Sequence, residues 1–218
     1  MAQEGWRKKD GIGGVFSPSH CSGAIYGWSG DAVYTQYLTA IRSSTGEEIW
    51  RHEASWPPIF SGEMMYSGYS RSGTYSDGTF IIAVNVRTGE RLWTFTITEP
   101  PYGGPPGNFP LPLAVDLDGT VYVGHTSENR IYWLNPSTGI PVGSYEVLSW
   151  PGNSPAIAVY DGIVYLPTGR DLYALDSSAN ELLWRTKYVS GYAPRVANGI
   201  VYLHSPQGIT AVKAEPPR

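Results

Sequence analysis

The sequence predicts an all-β protein built from repeated four-stranded antiparallel units. The 26 glycines and 18 prolines among 218 residues are too many turn formers for a helical bundle. A hydrophobic content of 41% and an aromatic content of 13% are too high for a disordered chain. A short strand-turn-strand pattern also recurs five times, which is the signature of a repeat architecture.

Charge and hydropathy argue against two classes of protein. The chain has 15 Lys and Arg residues against 19 Asp and Glu residues, and this acidic balance disfavours binding to nucleic-acid phosphates. No apolar run approaches the roughly 20 residues that a membrane-spanning helix needs, so we expect a soluble chain without a membrane partner. The charged start, MAQEGWRKKD, lacks the apolar stretch of a signal peptide, so we expect none in this chain. Cys21 is the single cysteine and indicates nothing about redox compartment.

Each repeat has a first hairpin turn, between its first two strands, in which a glycine follows a small or polar residue. The five pairs are Ser22-Gly23, Ser61-Gly62, Asp118-Gly119, Asp161-Gly162 and Asn198-Gly199. Asn-Gly and Asp-Gly supply the positive φ of a two-residue hairpin, so one strand should end and another begin at such a pair. The glycines lie 39, 57, 43 and 37 residues apart, near the roughly 40 residues typical of a four-stranded propeller blade.

Four of the repeats continue through a third strand and a second turn into a fourth strand. The fourth strands lie in the segments EEIWRHEA, ERLWTFTI, IPVGSYEV and ELLWRTKY. A complete unit therefore consists of strand A, a tight turn, strand B, a loop, strand C, a tight turn and strand D. In the third repeat, Gly143 stands where the other fourth strands have tryptophan.

The fifth repeat ends after strand C, and the missing strand is found near the start of the chain. The segment QEGWRKK aligns with ELLWRTK, so that Trp6 matches Trp184. Pairing of this segment with the last unit would leave no unpaired sheet edge there. We therefore predict one domain, a monomeric five-bladed β-propeller whose N-terminal strand completes the last blade. The predicted blades cover residues 11–53, 54–98, 99–147, 148–188, and 189–218 with 1–10.

The repeat resembles the quinoprotein-like (PQQ-like) propeller repeat. The matching motifs are DGIVY at 161–165, ALD at 174–176 and the Leu-Trp of strand D, and the resemblance covers nearly the whole chain. It implies that the strand D tryptophans dock against the neighbouring blade. These are Trp6, Trp50, Trp93 and Trp184. The departure at Gly143 puts the docking of the third blade in question.

The resemblance specifies the fold better than the function, because one fold hosts many activities. The best-known members of the family oxidise alcohols or sugars with pyrroloquinoline quinone and calcium. Those enzymes have more blades, and many carry an adjacent cysteine pair that Cys21 cannot form. We therefore expect no quinone cofactor.

Metal sites and nucleophile motifs are not indicated either. The four histidines, His20, His52, His125 and His204, lie far apart in the sequence, without the spacing of zinc ligands. The segment DLDG at 116–119 is interpreted as a hairpin turn, because the residues after it do not supply the further acids that a calcium loop needs. We expect neither metal nor cofactor.

Aromatic residues recur in one class of loop. In a propeller, the D-to-A and B-to-C loops share one face, the top face, around the mouth of the channel. Four D-to-A connections carry a large aromatic: Trp56, Tyr102, Trp150 and Tyr192. These rings could stack on sugar faces, flat ligands or peptide side chains. Packing on the adjoining blade is the alternative.

The B-to-C loops would add polar and aromatic residues to the same face. The candidates are Trp28, Tyr69, Tyr75, His125 and His204, accompanied by the charged Asp31, Glu128, Arg130, Arg170 and Asp171. Such a group could bind a polar molecule or carry out acid–base chemistry. A solvated rim of unrelated charges is the other interpretation.

Arg195 is predicted in the innermost strand of the fifth blade, where we expect it to be buried. A buried arginine needs a carboxylate, carbonyl groups or an anionic ligand. Pairing with Asp116 and capture of a ligand both satisfy this requirement.

Three functions remain open from the sequence. The first is a binding module for a sugar, a peptide or a small polar ligand at the top face. The second is a hydrolase, lyase or cyclase that uses the same mouth. The third is a structural assembly scaffold, which would expose an apolar patch. Whether the chain is an enzyme is not decided by its sequence.

Overall fold

The computed structural model describes eleven segments of the chain, and every regular element in them is a β strand. The described residues are 19–21, 23–31, 35–54, 58–70, 79–97, 110–125, 128–148, 157–167, 171–187, 194–205 and 208–213. They include no helix that is long and apolar enough to span a membrane. The chain divides into two compact units, residues 1–101 and 102–218.

The first unit contains two four-stranded antiparallel sheets with their strands in chain order. The first sheet consists of β1 (Ser19–Cys21), β2 (Ala24–Asp31), β3 (Thr35–Arg42) and β4 (Glu48–Glu53). The second consists of β5 (Ile59–Ser61), β6 (Met64–Ser70), β7 (Thr79–Asn85) and β8 (Arg91–Ile97). One buried cluster with side chains from both sheets forms the core of this unit.

The second unit contains three further antiparallel sheets. The third sheet consists of β9 (Pro110–Val115), β10 (Val121–His125), β11 (Arg130–Leu134) and β12 (Pro141–Glu146). The fourth consists of β13 (Ala158–Tyr160), β14 (Ile163–Pro167), β15 (Asp171–Asp176) and β16 (Glu181–Lys187). The fifth, with three strands among the described residues, consists of β17 (Arg195–Ala197), β18 (Ile200–Ser205) and β19 (Gly208–Lys213).

The structure confirms the predicted two-residue hairpin turns at Asp161-Gly162 and Asn198-Gly199. Asp118-Gly119 instead lies within a longer connection, between Val115 and Val121. Asp161 and Gly162, with φ of 51° and 74°, form the whole connection between Tyr160 and Ile163. Two successive positive φ values are the mark of a type I′ turn, which matches the twist of the flanking strands. We call the end of a sheet that carries its A-to-B and C-to-D turns the turn end. The opposite end, with the B-to-C connection, is the top end.

A tyrosine of strand B contacts a tryptophan of the same sheet in four sheets. The pairs are Tyr26–Trp50, Tyr66–Trp93, Tyr122–Trp133 and Tyr165–Trp184, with ring centroids 5.6 to 6.2 Å apart. These four tyrosines are at most 1% exposed. At this distance, tilted rings attract one another in addition to burying apolar surface. The fifth sheet has Tyr202 at the same position, with 38% of its surface exposed.

Trp50 joins the first sheet to the second. Its indole Nε1 donates a hydrogen bond of 3.0 Å to the carbonyl oxygen of Val86, in the C-to-D turn of the second sheet. The ring lies directly over Gly89 in the same turn, where an added Cβ would stand 2.5 Å from the indole. His52 approaches the Gly89 carbonyl oxygen with its Nε2 at 2.7 Å. Glycine at 89 therefore satisfies two needs, a φ of 74° and the close approach of an indole.

The third sheet has its tryptophan on strand C instead of strand D. In the first, second and fourth sheets an alanine of strand C faces the strand D tryptophan, as in Ala40–Trp50 and Ala174–Trp184. In the third sheet, Trp133 of β11 faces Gly143 of β12. Trp133 is 2% exposed and belongs to a buried cluster that includes side chains of the fourth sheet. The indole of Trp133 thus packs between the third and fourth sheets, although it projects from strand C and not from strand D.

Trp6 and residues 1–10, which were predicted to complete the fifth sheet, lie outside the described residues. Trp93 is 8% exposed, and Trp184 is partly buried against the cluster that includes β18 side chains.

Replacement of Trp50 by alanine should lower the free energy of unfolding by about 3 to 5 kcal/mol, because it leaves a cavity and removes the bond to Val86. Urea denaturation of the full chain measures the loss. Leu92→Ala is the matched control, since Leu92 is 45% exposed and its truncation should cost far less. Equal stability of the two variants would contradict the assigned contact.

Gly143→Ala should destabilise the chain strongly, although its backbone conformation accepts alanine. An added Cβ would lie 1.9 Å from Trp133 Nε1 and 2.3 Å from Asn180 Oδ1, so the indole must move. The double variant Trp133→Ala with Gly143→Trp recreates the pairing of the other sheets and should recover part of the loss. The cycle compares the melting temperatures of Trp133→Ala, Gly143→Trp and the double variant, with Val142→Ala as the control. Simple additivity of the two single changes would show that the positions are independent.

Candidate functional site

The top end of the third sheet gathers five polar side chains on one face. The backbone register places His125 opposite Arg130 and Val123 opposite Tyr132. Register with β12 places Tyr132 opposite Ser144, and Arg130 opposite Glu146. Directly paired residues of an antiparallel sheet point to the same side, as do residues two apart. We call His125, Arg130, Tyr132, Ser144, Glu146 and the turn residue Glu128 the top cluster.

Glu128 is the centre of the top cluster. Its Oε2 lies 3.3 Å from His125 Nδ1, and it accepts a short hydrogen bond from the Tyr132 hydroxyl. The His125 side chain is fully buried, whereas the Glu128 side chain is 36% exposed. Both contacts use the same carboxylate oxygen. Among the described residues, no hydrogen bond engages Oε1, which can accept one from a ligand.

The hydroxyl of Tyr132 remains a donor over the ordinary pH range. Burial, followed by the hydrogen bond and the charge of Glu128, raises the pKa of Tyr132 to about 12. A raised tyrosine pKa favours the neutral form, so the proton stays on Tyr132, which donates it in the hydrogen bond to Glu128.

Arg130 forms the second part of the top cluster. Its guanidinium donates to Ser144 Oγ at 3.1 Å and to Glu146 Oε2 at 3.2 Å. Glu146 is 69% exposed, and exposed pairs of this kind contribute little to stability. The pair nevertheless holds a cation on the same sheet face as Tyr132. The cluster therefore offers an oriented carboxylate acceptor and, on the same face, a guanidinium, which suits recognition of a polar group.

Other candidate residues from the sequence have different surroundings. Tyr69 is 4% exposed and stacks on Phe80 with centroids 5.0 Å apart, so its ring belongs to the core of the first unit. His204 lies in β18 with an exposed side chain. The side chain of Trp28, in β2, and all of Trp56, Tyr75, Tyr102, Trp150 and Tyr192 lie outside the described part of the structure.

The expectation for Arg195 is wrong in one respect. It does begin the inner strand β17, but its side chain is exposed and not buried. No ion pair joins it to Asp116, although both residues are described. The short strand β17 turns this side chain to the surface, where water can solvate the guanidinium without a fixed partner.

Asp116 instead links the third sheet to the fourth. It is 8% exposed, and its Oδ2 accepts a hydrogen bond of 2.7 Å from the backbone N–H of Gly162. Nearby, the Tyr122 hydroxyl donates to Ser177 Oγ at 2.9 Å, and Ser177 Oγ donates to the Gly162 carbonyl. Burial raises the pKa of Tyr122 to about 12, which keeps this donor protonated. Asp116 thus has a structural role at the turn end, away from the top cluster.

Sequence reasoning found His125, Glu128 and Arg130 but missed Tyr132, Ser144 and Glu146. The signal that could have found them is the cross-strand register, in which strand C and D residues share a face with His125. That register depends on the irregularity between Trp133 and Leu134, which the sequence alone does not place. Among the described residues, no group of three or more His, Cys, Asp or Glu side chains is positioned to hold a metal ion.

Comparison with solved structures finds the same arrangement of sheets in propeller proteins. BamB from Moraxella catarrhalis aligns with a TM-score of 0.60 and 19% identity, over 88% of this chain and 58% of that chain. Quinohemoprotein alcohol dehydrogenase from Comamonas testosteroni aligns with a TM-score of 0.64 and 14% identity, over 90% and 50% of the two chains. At this identity the likeness establishes the fold alone.

A curated relative matches part of the sequence. Quinoprotein alcohol dehydrogenase PedH from Pseudomonas putida is 29% identical over 94 residues, which is 43% of this chain and 14% of PedH. The chain therefore spans a small part of that relative and 58% of the BamB chain.

Repeated four-stranded sheets, each with its tyrosine–tryptophan pair, define a β-propeller of the PQQ-like class. The expected resemblance is thereby confirmed. Within this class, the model of one family matches residues 3–158, and the chain belongs to that family, described as outer membrane protein assembly factor BamB.

Proposed function

We propose that this chain is an interaction propeller that binds another protein through the top cluster. The observation that carries the proposal is the Glu128 carboxylate, which is partly exposed, accepts a hydrogen bond from the Tyr132 hydroxyl and lies beside the buried His125. A polar group fixed before binding loses little entropy on complex formation. The family description as an assembly factor supports a protein as the partner.

The loop aromatics predicted from the sequence are proposed as stacking surfaces at the top ends of their own sheets. In the second unit these are Tyr102, Trp150 and Tyr192, joined by His204 and Arg195, and in the first unit they are Trp28, Trp56 and Tyr75. A sugar or a small polar ligand is the alternative occupant of such a surface. A hydrolase, lyase or cyclase would use Glu128 as its acid–base group, with Tyr132 as a positioning residue.

Binding to the top cluster should fall about tenfold or more in Glu128→Gln, which removes the acceptor charge but keeps the shape of the side chain. The experiment screens the intact chain against peptide and glycan arrays and measures affinities of hits by calorimetry. Glu90→Gln, an exposed change in the first unit, is the control.

Trp56→Ala and Trp150→Ala test the aromatic extension. If these two variants lose stability but keep affinity, the rings are packing residues.

A thermal-melting experiment decides between the interaction function and quinone chemistry. Addition of pyrroloquinoline quinone with calcium should leave the melting temperature unchanged, because stabilisation requires a ligand that prefers the folded state. A concentration-dependent rise with both present would favour a dehydrogenase over an interaction module.

Peptides or glycans from the arrays that bind equally to Glu128→Gln and to the parent would remove the top cluster from the proposal.

We also propose that residues 3–9 supply the fourth strand of the fifth sheet, giving five blades with residues 1–10 in the last. The support is Tyr202, which is 38% exposed although its four counterparts are buried beside a tryptophan. Trp6 would cover it in the same way.

Deletion of residues 1–10 should therefore abolish the single cooperative unfolding transition or lower its midpoint by several degrees. Trp6→Ala in the full chain should reproduce most of the effect, whereas Lys9→Ala should not. Calorimetry measures the transitions. Unchanged melting of the deleted chain would contradict closure by this strand.

A further inference from the structure

The turn end of the third and fourth sheets carries a second surface, which the proposed function does not use. Leu117, in the turn between β9 and β10, is 91% exposed, and Ile140, in the turn between β11 and β12, is 63% exposed. Tyr160, at the end of β13, is 36% exposed. Among the large apolar side chains that are exposed in the described ranges, Leu92 alone belongs to the first unit. Exposed apolar side chains are thus concentrated in the second unit.

A cavity of about 420 Å³ opens on this surface between the two sheets. Leu117 lies on its third-sheet side, and Ile163 and Leu183 line its fourth-sheet side. Its back is fixed by the hydrogen bond between Asp116 and Gly162. The groove has both aliphatic and acidic lining residues, and its aliphatic part is suited to hold an aliphatic side chain of a partner. The groove is formed within one unit and does not depend on the position of the other.

The charge around this groove has a single sign. The turn segments 116–120, 135–140, 160–163 and 176–181 contain five acids and no Lys, Arg or His. Three of the acids, Asp118, Asp161 and Asp176, line the cavity together with Asp116. Hydrogen bonds from Ser178 and the Ala179 backbone lower the pKa of Asp176, so that carboxylate stays ionised. Anionic partners such as nucleic acids or acidic lipid surfaces would be repelled.

We propose that this turn-end surface docks a segment of another protein in which Lys or Arg residues alternate with aliphatic residues. An aliphatic side chain of that segment enters the groove beside Leu117, and its cations face Asp118 and Asp161. Charge complementarity selects the partner and speeds its approach, while burial of the aliphatic side chain provides the contact that holds it.

The test uses a labelled peptide, Gly-Lys-Leu-Arg-Val-Lys-Leu-Gly, and fluorescence anisotropy with the full chain. Leu117→Ser should weaken binding about fivefold or more, as expected when an anchor at the centre of a contact is lost. The double variant Asp118→Asn with Asp161→Asn should weaken binding at low salt and reduce its dependence on salt. Leu148→Ser is the matched control, because Leu148 is also an exposed leucine, 78% exposed, but lies after β12 at the top end. It should bind like the parent.

Two control peptides separate the contributions of charge and apolar contact. A peptide with Glu in place of Lys and Arg should not bind, and one with Ser in place of Leu and Val should bind at least about fivefold more weakly. Because Leu117 is almost fully exposed, Leu117→Ser should keep the parent melting temperature, so lost binding cannot result from unfolding.

Several results would overturn the proposal. These are the absence of binding at millimolar peptide, equal affinity of Leu117→Ser and the parent, and equal affinity of the Ser-substituted peptide. A parent dimer in sedimentation that Leu117→Ser dissociates would show that a second copy of this chain occupies the surface. None of these results bears on Glu128, so failure here and failure of the top cluster are distinguishable.

Discussion

The packing of one sheet on the next depends on an aromatic ring that reaches the C-to-D turn of its neighbour. Trp50 lies over Gly89 and donates to Val86. Without Trp50, Tyr26 of strand B would lose the ring against which it packs. The turn is therefore more than a connection, because its conformation provides a flat docking surface for the indole. In the second unit, Trp133 packs among side chains of the third and fourth sheets, which carry the top cluster and the turn-end groove.

The third and fourth sheets obtain an equivalent junction with different chemistry. Trp133 and Asn180 occupy the space above Gly143, while Asp116 and Tyr122 add polar bonds to the neighbouring turns. These bonds are formed within the second unit and are partly buried. A hydrogen-bonded junction is more directional than an apolar one, so it restricts how the two sheets can slide. This directionality explains why the turn-end groove has a rigid back.

Much of the fold could be predicted from the sequence because the repeat signals are local. The type I′ turn at Asp161 and Gly162 needs two residues that tolerate positive φ, and aspartate and glycine are such residues. The position of Trp133 could not be predicted in this way, because it depends on which residue of strand C faces Gly143. Tyr132 was missed for the same reason, and Arg195 was assigned by alignment to a buried position that the short β17 does not provide. Pairing across strands is the information that one sequence, examined segment by segment, does not contain.

The exchange of tryptophan and glycine in the third sheet has a consequence for the evolution of the repeat. An ancestral alanine–tryptophan pair cannot become Trp133 with Gly143 in one step. An intermediate with two tryptophans would place two indoles in one space, and an intermediate with none would leave a void. The two positions therefore form a small fitness valley, which lineages cross by paired change or under relaxed selection. Consensus averaging of the blades, column by column, would restore the alanine–tryptophan pair and erase this exchange.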